Sequence, residues 1–245
     1  MRYKITLSYD GTDFCGWQHQ PNGNSIQDAV EAAAEKLFGQ KTSVVGSGRT
    51  DAGVHAIAQV AHFDVDKALP EKNVVGGLNA YLPRTVRVSK AERALDNFDA
   101  RKSAKQKTYM YLMYVGDCLP VLNDRALCLN KEPDIARMNM CAYQLLGKHD
   151  FSTFMAAGGG AKTFTRNVFD AHFERDGRFI KFFITADGFL YNMVRIITAQ
   201  LLKADGGDVD IAYLLEKRDR SYAKELAPAC GLYLYSVNYG ADGNG

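Results

Sequence analysis

No apolar run in the 245 residues approaches the roughly 18 that a membrane-spanning helix needs, which argues against a membrane protein. The opening residues, Met1 to Thr6, run straight into an alternating pattern without the apolar core of a secretory signal, so a cytoplasmic protein is expected. Cysteine is sparse: Cys15, Cys118, Cys128, Cys141 and Cys230 are odd in number and contain no C-x-x-C pair. Neither a disulfide framework nor a thiolate metal site is expected from them. The five histidines show no metal spacing such as H-E-x-x-H. The single tryptophan, Trp17, lies near a turn and reads as a packing residue. An excess of charge is also lacking. Thirty Lys+Arg oppose 28 Asp+Glu, for a net +2, so the total gives no sign of a nucleic-acid partner.

What is present is ordinary for a globular chain: 47% hydrophobic and 24% charged residues, enough for one or two domains with a substantial core. Tyr3, Ile5, Leu7 and Tyr9 alternate with polar residues and predict a half-buried strand. Ser25 followed by Asp28 caps a helix to Phe38, which Gly39 stops. Strands follow at 42–45 and 57–65, a helix from Pro70 to about Tyr81, and a strand at 85–91. The second half has a similar outline. An aromatic strand spans 107–115, and Pro133-Asp134 opens a helix that Gly147 closes. Strands 168–175 and 179–186 flank the hairpin signal Asp176-Gly177. Helices at 189–203 and 208–217 and a strand at 232–239 complete the chain. This order predicts an α+β protein of two halves, 1–105 and 106–245, with a boundary near 95–106. No residue-level repeat is visible.

Three segments carry candidate chemistry. The first is Gly46-Ser47-Gly48-Arg49-Thr50-Asp51-Ala52-Gly53-Val54-His55. Its glycines permit sharp turns and close approach of a ligand, with a cation and a carboxylate two positions apart on a loop between strands. It lacks G-K-[ST], and its spacing does not match G-x-G-x-x-G, so a phosphate loop is poorly supported. A tight turn with a surface Arg–Asp pair explains the pattern equally well. The second segment places Arg101, Lys102, Lys105 and Lys107 ahead of Tyr109 and Tyr111 on alternate strand positions. Cations neutralise phosphates and aromatic faces stack on bases, although a solvated connector into a core strand reads the same. The third is Arg195 within an apolar helix, with no acid from seven residues before it to nine after. Either it snorkels to water or it meets a carboxylate from elsewhere in the chain.

Together these segments resemble the tRNA pseudouridine synthases of the TruA type. The likeness runs from Tyr9-Asp10-Gly11-Thr12-Asp13-Phe14-Cys15-Gly16-Trp17-Gln18 through the Arg49-Thr50-Asp51-Ala52-Gly53-Val54-His55 loop and Phe98-Asp99-Ala100-Arg101. It continues in Lys107-x-Tyr109-x-Tyr111, Gly147-x-His149-Asp150-Phe151, Phe189-Leu190-Tyr191-x-Met193-Val194-Arg195 and Gly231-Leu232-x-Leu234. One departure is Thr85, where the family usually carries an acid after Leu-Pro. The resemblance implies two α/β halves sharing a mixed, mostly antiparallel sheet flanked by helices. It implies a homodimer that isomerises uridine at positions 38, 39 and 40 of the tRNA anticodon stem-loop, with no cofactor and no metal. Its catalytic residues would be Asp51, Tyr109 and Arg195. Arg49 would help extrude the base, and Thr50, Tyr111, Arg101, Lys102, Lys105 and Lys107 would contact RNA. Two rival classes are a catalytically silent RNA-binding module or chaperone on the same fold, and an aspartate-dependent hydrolase or phosphotransferase. The second would call for a carboxylate cluster or a phosphate-cradling lysine.

Isomerisation breaks the ribose-to-nitrogen bond and rejoins the uracil through carbon, so no electrons leave and no redox group is needed. Asp51 would attack the ring or the ribose, or remove a sugar proton. Arg195 would keep it charged. The charge distribution supports an RNA partner better than the total does. Residues 84–107 carry eight cations and three acids, a local +5, leaving −3 for the rest.

Overall fold

A computed structural model describes residues 1–21, 23–207 and 209–240. Its contacts divide the chain into two compact units: Met1–Lys105 with the chain from Tyr233 onward, and Gln106–Leu232.

The first unit begins with strand β1 (Arg2–Tyr9), whose burial alternates residue by residue. Helix α1 (Ile26–Phe38) starts where the sequence predicts. The Ser25 hydroxyl accepts the Asp28 N–H at 3.1 Å and donates to the Asp28 carboxylate at 2.6 Å, and Gly39 ends the helix at φ 70°. Strands β2 (Val44–Gly46) and β3 (His55–Asp64) pair antiparallel, and β3 pairs antiparallel with β1. Helix α2 (Glu71–Tyr81) follows Pro70, which serves as the residue before the helix. Strand β4 (Val86–Ala94) then pairs antiparallel with β1. Tyr3, Ile5, Leu7, Ala61 and Phe63 form one face of this sheet, buried with Ile26, Val30, Val74 and Leu78 of the two helices. The opposite face carries Arg2, Lys4, Thr6, Val60, His62 and Asp64.

The second unit opens with β5 (Gln106–Val115), with the short strand β6 (Leu127–Leu129) beside it in parallel. Helix α3 (Ile135–Tyr143) is capped by the Asp134 carboxylate on the Arg137 N–H. Strands β7 (Gly147–Asp150), β8 (Thr165–Asp176) and β9 (Phe179–Ala186) extend the sheet in the order β5-β9-β8-β7, all antiparallel. Gly177, at φ 59°, turns the hairpin announced by Asp176-Gly177. Helices α4 (Met193–Asp205) and α5 (Ile211–Lys217) follow, with α3 packed on β8 and α4. The final strand β10 (Leu232–Asn238) pairs in parallel with β3 through Tyr233 and Leu234, within the first unit.

The class is therefore α+β, with mostly antiparallel pairing. In each unit an opening strand, β1 or β5, pairs antiparallel with the second of two later neighbours, β3 or β9, and a helix lies between them in sequence. Four local expectations differ from the structure. The helix expected to close at Gly147 ends at Tyr143, and Gly147 opens β7. The helix predicted from residue 189 starts at Met193, because Asn192 adopts a left-handed backbone at φ 60°. The helix predicted over 208–217 begins at Ile211; Asp208 itself lies outside the described residues. No disulfide framework is expected from the cysteines, but one bond is present: Cys118 and Cys128 are bonded to each other. The loop from β5 to β6 doubles back and aligns Tyr114 with Cys128, a juxtaposition that cysteine spacing does not reveal. Among the described residues no helix is long and apolar enough to cross a membrane, and no group of three or more His, Cys, Asp or Glu is arranged to hold a metal ion.

Candidate active site

Asp51 sits half-buried on the loop between β2 and β3, with Arg49 exposed two residues before it. Glycines fix the loop's surroundings. Gly16 has φ 103°, and a Cβ there would stand 2.5 Å from the Thr50 carbonyl oxygen. A Cβ on Gly11 would stand 2.0 Å from the Val54 carbonyl oxygen. The segment after β1 is thus pressed backbone to backbone against the Asp51 loop, a closeness only glycine permits. Hydrogen bonds fasten the two: Trp17 N–H donates to Thr50 O at 3.0 Å, and Gly11 N–H to His55 Nδ1 at 3.0 Å. Trp17 is buried against Gly46, in agreement with its reading as a packing residue.

Beneath the loop lies a buried polar network. The Gln59 amide, fully buried on β3, accepts from Ser47 Oγ at 2.7 Å and donates to Gly48 O at 2.9 Å. The Tyr9 hydroxyl is 2.8 Å from Thr50 Oγ1. Burial pushes the Tyr9 phenol up to about 12, with hydrogen bonds from Thr50 and Gln59 opposing, so it stays protonated at neutral pH. Buried polar groups in such a network rigidify what they join. The loop carrying Asp51 is held by Tyr9, Ser47 and Gln59; the sequence reading names the first two only as members of longer motifs and does not name Gln59. Gln59 left a trace there: it is a polar residue at an inward strand position, in register with Leu7. Thr50, expected to contact RNA, is buried and hydrogen-bonded to Tyr9.

The basic segment belongs to the same unit. Asp99 Oδ1 accepts the N–H groups of both Arg101 and Lys102 at 2.9 Å, and the two side chains are exposed. Lys102 Nζ lies 3.8 Å from Asp99 Oδ2. Lys105 is exposed, and its N–H donates to Asn238 O at 2.8 Å.

In the second unit Tyr109 is buried on β5 with its ring edge-on to Phe189 at 5.0 Å, and Lys107 is half-buried two residues earlier. Tyr111, expected to contact RNA, is fully buried; its hydroxyl donates to Pro228 O at 2.8 Å, and its ring meets Gly231. Burial, reinforced by Cys230 and opposed by Arg195, raises its phenol above the ordinary range. Arg195 is half-buried on the first turn of α4, where Nε donates to Ala227 O at 2.8 Å and Nη1 to Asn192 Oδ1 at 2.9 Å. Asn192, the left-handed residue that starts the helix, thereby orients the arginine. A strained backbone of this kind is often retained for function.

A family model described as tRNA pseudouridine synthase matches residues 5–101 and 141–240. Tyr109, Tyr111, Lys102, Lys105 and Lys107 fall between those two segments, but relatives cover them. A tRNA pseudouridine synthase A from Acetivibrio thermocellus is 39% identical over 240 residues, 96% of this chain and 98% of the relative. A tRNA pseudouridine synthase A 2 from Clostridium perfringens is 40% identical with the same coverage. One from Latilactobacillus sakei is 41% identical over 97% of this chain and 98% of its own length. With its Asp51 loop, its basic segment and full-length relatives of this kind, the chain belongs to the tRNA pseudouridine synthase family.

Proposed function

We propose that this protein isomerises uridine to pseudouridine at positions 38, 39 and 40 of the tRNA anticodon stem-loop, as a cytoplasmic homodimer without cofactor or metal. Asp51 is the reacting carboxylate, Tyr109 the ring set against the uracil, and Arg195 the cation that keeps Asp51 ionised. Arg49 holds the space left by the extruded base. Arg101, Lys102, Lys105 and Lys107 neutralise backbone phosphates. The observation that carries the reading is the bracing of the Asp51 loop: a half-buried carboxylate on a loop locked by glycine contacts and a buried Gln59–Ser47–Gly48 network. A surface Arg–Asp turn needs no such support, whereas a reacting group must be held in place.

The chemistry follows from that placement. The base must leave the stem, which costs a few kcal/mol that phosphate contacts offset. The bond from ribose to N1 then breaks, the uracil rotates, and C5 bonds to the ribose. The C5 proton leaves and N1 gains one, so atoms and electrons balance. A permanent cation beside a carboxylate opposes the cost of desolvating it. Unmodified tRNA transcripts incubated with the protein should gain pseudouridine at positions 38–40. Absence of product in the anticodon arm overturns the reading. Asp51→Asn should lower turnover at least about 1,000-fold with the fold intact, and Arg195→Met should lower it with little loss of stability. A silent RNA-binding protein would bind tRNA equally well with and without Asp51 and form no product.

A further inference from the structure

Residues 96–101 form a strap across the sheet face opposite helices α1 and α2, and side chains of that face hold its backbone. Arg2 Nη1 donates to Asp96 O at 2.6 Å and to Phe98 O at 2.7 Å. The Ala100 N–H donates to His62 Nδ1 at 3.0 Å, and the Tyr239 hydroxyl donates to Ala100 O at 2.8 Å. Phe98 and Ala100 form a small separate core with Val60 and Tyr239. Burial raises the Tyr239 phenol above its ordinary range. His62, which holds the strap, and Gln59, which holds the loop that carries Asp51, both lie on β3, so strap and loop are fastened to one strand.

His62 has a defined state here. An amide N–H can only donate, so Nδ1 must offer a lone pair, and the ring is neutral with its proton on Nε2. Burial lowers its pKa from the usual 6.5, and the Arg2 charge lowers it further, while Asp99 and Asp64 oppose. The charged groups around it are Arg2 and Lys4 on β1, Asp64 on β3 and Asp99 on the strap. Protonation would set an N–H against the Ala100 N–H and release that point of the strap.

We infer that His62 is a positioning residue for tRNA recognition: as a neutral acceptor it fixes the strap, and with Tyr239 it holds Arg101 and Lys102 at a set distance from the Asp51 loop. This rests on the proposed tRNA reaction and adds a residue that itself touches no RNA. Phosphate contacts made from a fixed strap need no ordering when RNA binds. From a loose strap the same contacts form only after the strap is ordered, which costs binding free energy and leaves the reacting step unchanged.

The test compares His62→Leu, which removes the acceptor, with His62→Asn, whose Oδ1 stands close to the place of Nδ1. His62→Leu should raise KM for an unmodified tRNA transcript about tenfold at about pH 7.5, with kcat within about twofold of wild type. It should also speed amide exchange at Ala100. His62→Asn should recover KM to within about threefold. Because the His62 pKa is lowered, wild-type KM should stay constant down through the ordinary imidazole value of 6.5 and rise only at more acid pH, while that of His62→Asn stays flat. Faster exchange with unchanged KM, or equal impairment by Leu and Asn, would overturn the inference. An Arg101→Ala, Lys102→Ala double variant separates the two levels. If it keeps wild-type KM, the strap does not meet tRNA and the reading beneath the inference fails, whatever His62 does to exchange.

Discussion

Replacing Gln59 by methionine tests whether the buried network beneath the Asp51 loop serves catalysis or only folding. Methionine matches glutamine in length but neither donates nor accepts, so the change removes the bonds to Ser47 Oγ at 2.7 Å and Gly48 O at 2.9 Å without opening a large cavity. The site is fully buried, so water cannot replace the lost amide. Each lost partnership costs about 1–2 kcal/mol, or about 2–4 kcal/mol together. For a chain of this size that predicts a fall in melting temperature of roughly 5–15 °C. Gly48 lies three residues before Asp51, so release of its carbonyl frees the loop to shift. A displacement on the order of 1 Å at a reacting group costs about 10- to 100-fold in turnover. The expected result is therefore a 10- to 100-fold lower kcat on unmodified tRNA, with KM changed by less than about threefold, measured well below the melting temperature. Ser47→Ala removes one of the two bonds and should fall between wild type and Gln59→Met in both measurements. A variant that melts earlier yet turns over at the wild-type rate would refute the reasoning, because the network would then be stabilising a loop whose position does not matter.

Other expectations follow from single contacts. Gly11→Ala places a methyl 2.0 Å from the Val54 carbonyl oxygen, backbone against backbone, and should cost about 1–3 kcal/mol in thermal or denaturant unfolding. An unchanged midpoint would show that the two segments separate easily. Lys203 and then Gln200 hold the Glu225 carboxyl down at about 2, against 4.5 unperturbed. A depressed carboxyl contributes stability that is complete above its unfolded pKa and disappears as pH falls through its folded one. The stability difference between wild type and Glu225→Gln should accordingly be constant above about pH 4.5 and vanish towards about pH 2. A difference that persists undiminished at the acid end would contradict the assignment. The Cys118–Cys128 bond predicts three reactive thiols in denatured, unreduced protein and five after reduction. Five without reductant would show the bond absent from the purified protein, and a reducing cytoplasm would favour that open form.

Much of the architecture is local and was legible in the sequence. The Ser25 cap, the Gly39 stop and the Asp176-Gly177 hairpin act over two to four residues, and each stands where the pattern places it. The alternation of Tyr3, Ile5 and Leu7 fixed which face of β1 is buried, because a strand offers only two. The start of α4 escaped the pattern: apolar residues from 189 to 194 are interrupted only by Asn192, and it is the left-handed backbone of that residue that sets the helix start. The short strands β6 and β7 are too brief for periodicity to declare.

The sequence by itself singled out Asp51, its glycine-rich loop, the basic residues ahead of Tyr109 and the membership of a family, since these are contiguous motifs. The net charge of +2 concealed a +5 segment that counting along the chain recovered. Only the tertiary structure decided what holds those motifs. Gln59 reaches Ser47 and Gly48 across 12 and 11 residues, and His62 reaches Ala100 across 38. Tyr239 reaches Ala100 across 139. It also buried Thr50 and Tyr111 and gave their hydroxyls partners within the protein, Tyr9 and Pro228. Residue type reports what a side chain can do. Whether it faces a substrate or a neighbour depends on pairings between distant strands, and no local pattern encodes those.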